Sequence, residues 1–80
     1  MKTIYHGGYR RLIAELRRLR LELGLTLDDV CSQLGRCRTW LCKIEQYELR
    51  LDVLYFTGLC AIYGVEPAAL LKLLKKEETT

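Results

Sequence analysis

Apolar residues recur along this chain at helical spacing. Tyr9, Leu12, Ile13, Leu16, Leu19 and Leu23 form one apolar face, and Arg10, Arg11, Arg17 and Arg18 lie off it. The pattern predicts a first helix from Gly8–Tyr9 to Leu23, closed by Gly24 in the left-handed position that ends many helices. Thr26 is a good N-cap for a second helix, and Asp28 and Asp29 load its first turn with negative charge. Asp29, three residues after Thr26, approximates a capping box. Leu27, Val30, Cys31 and Leu34 supply its apolar positions, and Gly35 ends it after about two turns. A third helix is predicted from Arg38 to Tyr47, with Trp40, Leu41, Ile44 and Tyr47 on its apolar side. Asp52 caps a fourth helix that holds Leu54, Leu59, Ile62 and Tyr63 and ends at Gly64. Gly58 inside it costs about 1 kcal/mol against alanine. Glu66–Pro67 opens a fifth helix, with proline in its favoured first position, which ends near Lys75–Lys76. Strand-type alternation is absent, so the chain reads as all-α.

The chain has 80 residues, enough for one small domain, with its folded part roughly at 9–76 and short tails at Met1–Gly8 and Glu77–Thr80. At 50% hydrophobic residues it is too apolar for a disordered segment. No apolar run approaches the roughly 18 residues of a membrane helix, and no signal-peptide pattern opens the chain. The expected location is therefore the cytoplasm.

Net charge is +3, but its distribution is uneven. Residues 1–50 hold 10 basic and 6 acidic side chains, whereas residues 51–80 hold 3 basic and 4 acidic. A basic front half suits an anionic partner such as a phosphate backbone; the plainer explanation is solvated arginines on exposed helix faces. The four cysteines, Cys31, Cys37, Cys42 and Cys60, include no Cys-x-x-Cys pair, and the single histidine, His6, is distant. Reduced thiols are expected, with no metal and no cofactor. No nucleophile–base pair or carboxylate cluster stands at useful spacing, which argues against an enzyme.

Function enters with Thr26 to Glu45: a short capped helix, a turn at Gly35–Cys37, and a second helix with an apolar back and a polar front. That is the helix-turn-helix pattern, in which the second helix enters the DNA major groove. Leu41 and Ile44 make the back; Arg38, Thr39, Cys42 and Lys43 make the front. The chain resembles the repressor-type, Cro-like or XRE-like, helix-turn-helix family. The residues that carry the likeness are Leu19–Arg20, Gly24–Leu25–Thr26, Val30–Cys31, Leu34–Gly35, the run Arg38 to Glu45, and Tyr63–Gly64–Val65. The likeness covers roughly residues 9–75 and implies a compact five-helix bundle of the lambda-repressor-like type.

The resemblance implies roles. Arg38 and Thr39 fall where family members contact bases, with Lys43 one turn later on the same face. Cys42 stands beside the DNA where many members carry serine. The full set expected at DNA is Thr26, Arg36, Arg38, Thr39, Cys42, Lys43 and Arg50, the last as a phosphate contact. Arg20 and Glu45 fall at positions that often form an internal ion pair. Cys31 and Cys60 take small-residue positions. Leu27 replaces a common glutamine, Cys37 a common serine, threonine or proline, and Tyr47 the glycine that commonly ends the recognition helix. The last change predicts an unusual turn there.

The expected function is a sequence-specific transcriptional regulator, of repressor type, bound to double-stranded DNA. The alternative is an antitoxin-like or adaptor module that keeps the fold and binds a protein, such as a toxin. One recognition helix reads only a few base pairs, so a homodimer on paired half-sites is expected. The fifth helix carries leucines on more than one face, which points to a dimer interface of Tyr63, Leu70, Leu73 and Leu74. The competing outcome is a monomer in which they pack back onto the first helix.

Overall fold

The computed structural model describes residues 6–78, and those residues form five helices. They are α1 (Gly7–Glu22), α2 (Leu27–Leu34), α3 (Arg38–Glu45), α4 (Val53–Tyr63) and α5 (Pro67–Glu78). Local chemistry sets most of the boundaries. At α2 the expected capping box is complete: Thr26 Oγ1 accepts from the Asp29 amide at 3.0 Å, and the Thr26 amide donates to Asp29 Oδ2 at 2.8 Å. Asp52 Oδ1 accepts from the Leu54 amide at 2.7 Å and starts α4. Gly24, Gly35 and Gly64 all take left-handed backbone at the ends of α1, α2 and α4.

Several boundaries differ from the sequence expectation. Gly7 and Gly8 belong to α1 and not to a tail, because His6 caps the helix: its Nδ1 accepts from the Tyr9 amide at 3.2 Å. Met1–Tyr5 and Thr79–Thr80 lie outside the described residues. α5 continues through Glu78, past Lys75–Lys76. α3 stops at Glu45, two residues before Tyr47.

The core gathers Ile13 from α1, Val30 and Cys31 from α2, Leu41 and Ile44 from α3, and Leu59 and Cys60 from α4. α5 lies across α1, and Gly8 permits the approach: a Cβ there would stand 2.8 Å from the Leu74 Cα and 2.9 Å from the Leu73 carbonyl. A Cβ on Gly58 would stand 2.9 Å from Leu34 Cδ2, the end of a side chain that can shift, so glycine is less strictly required there. Leu23, expected on the apolar face of α1, is instead half exposed.

This packing changes the expected dimer surface. Tyr63 and Leu70 are buried in the chain's own core, so neither is available to a partner. Leu73 and Leu74 are half-buried against the same core. The large apolar side chains left in solvent are Leu71 at 45% exposure, Val53 at 76% and Leu54 at 72%, together with Leu21, Leu23 and Leu49. Among the described residues no helix is long and apolar enough to cross a membrane, and no group of His, Cys, Asp and Glu is placed to hold a metal ion.

Candidate nucleic-acid interface

α3 is two-sided. Trp40, Leu41 and Ile44 are buried, while Arg38, Thr39 and Lys43 are exposed on the other side. Cys42 sits between, half-buried, its sulfur accepting from Gln46 Nε2 at 3.3 Å. Cys37 caps the helix with its backbone only; its thiol makes no capping bond and is exposed.

What holds α3 at a fixed angle is a buried ion pair. Arg20 Nε and Nη2 donate to Glu45 Oε2 and Oε1 at 2.7 and 2.8 Å, a bidentate contact in which each side chain is only 9% exposed. Arg20 Nη1 also donates to the Leu25 carbonyl at 2.8 Å. One guanidinium thus ties α1, the α1–α2 connection and α3 together, and Glu45 holds its pKa above the ordinary arginine value. Arg17 Nε approaches the same carboxylate at 3.6 Å from the exposed side.

The turn after α3 contradicts the expectation of an unusual geometry. Tyr47 adopts φ 64°, the left-handed conformation a glycine would take. Its amide donates to the Ile44 carbonyl at 3.1 Å and the Glu48 amide to the Lys43 carbonyl at 2.9 Å, the bond pair of a Schellman motif. The tyrosine is retained there by contacts beyond the turn: Arg10 Cζ lies 4.6 Å from its ring centroid, and the ring packs against the core. Tyr9 fastens the following segment, its hydroxyl oxygen accepting from the Leu51 amide at 3.0 Å. Arg50, beside that bond, is exposed.

The charged groups ahead of α3 are arranged unevenly. Thr26 forms the capping box, and the bond from its amide, with its hydroxyl next, holds the Asp29 carboxyl below the usual carboxylate range. Arg38 Nη1 lies 3.8 Å from Asp28 Oδ2, both exposed, a distance at which water screens the attraction. Arg36, in the α2–α3 turn, stands over two rings: its Cζ is 5.0 Å from the Trp40 centroid and 5.2 Å from that of Tyr55. Those rings meet edge to face, 5.0 Å apart at 62°.

Arg38, Thr39, Cys42 and Lys43 thus share α3, Arg36 adjoins its start, Thr26 caps the preceding helix, and Arg50 follows in the loop. Against known proteins, the model of the helix-turn-helix domain family matches residues 11–74. A solved structure of an XRE-family like protein from Pseudomonas syringae pv. tomato str. DC3000 has a TM-score of 0.79 and 35% identity, covering 92% of this chain and 90% of that one. No curated protein matches the chain. The chain belongs to the XRE-like helix-turn-helix family.

Membership makes it, in general terms, a DNA-binding regulator, with α2 and α3 as its helix-turn-helix. Within this XRE-like frame the sequence reading missed three groups. His6 is a helix cap, although histidine is not a favoured one. Tyr47 hides a glycine-type turn. The contact of Arg36 with Trp40 and Tyr55 joins three separate segments; only the Arg36–Trp40 spacing, four residues, hinted at it.

Proposed function

We propose that the chain is a sequence-specific transcriptional regulator, of repressor type, that inserts α3 into the major groove of a paired half-site operator as a homodimer. The two-sided α3 carries this reading: Arg38, Thr39 and Lys43 are exposed together while Trp40, Leu41 and Ile44 anchor the opposite side. Arg38 and Lys43 supply donors suited to guanine edges, Thr39 and Cys42 smaller contacts, and Thr26, Arg36 and Arg50 reach toward the backbone. The protein acts by occupancy, without chemistry of its own, in the cytoplasm of a bacterial or phage-carrying cell. Exposed Leu71 and Val53, which line one shallow cavity of about 110 Å³ with Leu74, support the second copy docking on that side. Sedimentation at micromolar concentration tests this: a monomer both free and on operator DNA ends the dimer reading.

A second reading is an antitoxin-like or adaptor module that binds protein. Asp28 beside Arg38, and the exposure of Val53 and Leu54, favour it. A gel shift against genomic fragments at moderate salt separates the two. A regulator retains selected fragments; a protein-binding module shows weak, salt-sensitive retention of all of them alike.

A further inference from the structure

We propose that Arg36 is a preorganised contact for a DNA backbone phosphate and that Trp40 and Tyr55 are its positioning residues. The inference rests on the DNA-binding reading above and assigns a role to two side chains that need not touch DNA themselves.

Three observations converge on Arg36. Its backbone is fixed, because its amide donates to the Cys31 carbonyl at 3.1 Å at the end of α2. Its guanidinium is placed, because the Trp40 and Tyr55 rings hold it from two different helices. Those rings are themselves constrained: Trp40 is only 7% exposed and Tyr55 is half-buried. Arg36 is exposed above them. An ordinary surface arginine samples many rotamers and loses that freedom on binding; a guanidinium already held over aromatic faces loses less.

The charge also remains available. Arg18 is spent on Glu15 and Glu22, Arg20 and Arg17 face Glu45, and Arg38 lies near Asp28. Among the described residues no carboxylate forms an ion pair with Arg36. Contact with ring faces consumes none of its N–H donors, so that planar set can still meet two oxygens of one phosphate. Position selects phosphate over base. With the first residues of α3 at the base edges, the residue in the turn just before it lies beside the strand that borders the groove.

The test measures binding to an operator recovered from a random DNA pool, across a salt series, for wild type, Arg36→Ala, Tyr55→Leu and Tyr55→Phe, with thermal melts to verify folding. Arg36→Ala is expected to weaken all sequences alike, about tenfold or more at moderate salt. It should also flatten the slope of log K against log salt by about 0.9, one phosphate's share. Tyr55→Leu keeps the charge, so the slope should hold while affinity falls several-fold; Tyr55→Phe keeps the ring and should match wild type. Trp40, the chain's one tryptophan, reports the platform directly, and its emission should shift in free Arg36→Ala protein. If wild type binds DNA and Arg36→Ala keeps its affinity and slope, or Tyr55→Leu binds as Tyr55→Phe does, the inference is wrong. If wild type retains no DNA, the DNA-binding reading fails and this inference falls with it. Arg36 lies at an exposed position, so its variant decides the matter even if Tyr55→Leu fails to fold.

Discussion

Glu45→Ala should be among the most damaging single substitutions in this protein. It removes both carboxylate oxygens from Arg20 and leaves a guanidinium, 9% exposed, with the Leu25 carbonyl as its remaining acceptor. Breaking a buried pair from one side costs about 3–5 kcal/mol, because a charge stays behind without its partner. A chain of this size holds roughly 4–12 kcal/mol in all, so the loss is a large share of the total. At about 4–8 °C per kcal/mol the melting temperature should fall by roughly 12–40 °C, or folding should fail outright. Arg20→Met should cost less, because Arg17, already 3.6 Å from Glu45, can swing in and keep that carboxylate paired. The double variant Arg20→Met with Glu45→Leu removes both charges and should return to within about 2 kcal/mol of wild type, the residue being the Leu25 carbonyl that loses its donor. Urea unfolding of wild type, Arg20→Met, Glu45→Leu and the double variant gives the coupling energy from the cycle. Glu45→Ala within about 1 kcal/mol of wild type, or a purely additive double variant, would refute the view that this pair fixes α3 on α1.

Three further outcomes follow from named contacts. At Tyr47, glycine should be more stable than alanine by about 1 kcal/mol, the reverse of the order inside a helix, because relief of the left-handed strain outweighs glycine's extra chain entropy; an alanine variant as stable as glycine or more so would contradict this. Burial pushes the Cys31 and Cys60 thiols and the Tyr9 and Tyr63 phenols up from ordinary values of 9.0 and 10.0. The unfolded chain therefore releases protons first, and stability, full below about pH 9, should fall above it and more steeply past about pH 10. Tyr63→Phe should flatten the steep part, and stability unchanged up to pH 11 would contradict the burial argument. Asp28→Asn removes a carboxylate near both Arg38 and the expected phosphate path, so affinity for unrelated DNA should rise roughly threefold, as one charge at about 6 Å in water predicts; an unchanged affinity places Asp28 away from DNA.

Much of the fold was legible because its signals are local. Thr26–Asp29, Asp52 and the glycines at 24, 35 and 64 act within one helical turn, so their residue types alone mark the ends of helices. The Arg20–Glu45 contact spans 25 residues and was suggested by family resemblance, not by periodicity. Tyr47 misled because its local preference is overridden by Arg10 and by packing, neither of which sequence spacing displays. Tyr63 and Leu70 misled for a related reason: a helix with apolar residues on two faces does not reveal which face its neighbours will take. On the candidate site, the polar front of α3 could be read directly from its helical spacing, while the placement of Arg36 required knowing where α4 brings Tyr55.

Whether the outward side chains of α3 read DNA sequence is decided by a paired selection. Wild type and Arg38→Ala are each used to recover bound sequences from the same random pool at the same salt. Wild type should enrich a two-fold symmetric sequence whose half-sites lie about 34–36 Å apart. Arg38→Ala should lose preference at one base pair in each half-site, by about 1–3 kcal/mol, and keep the rest. If Arg38→Ala enriches the same sequence with undiminished discrimination at every position, Arg38 does not read a base; if wild type enriches nothing, α3 is not a recognition helix.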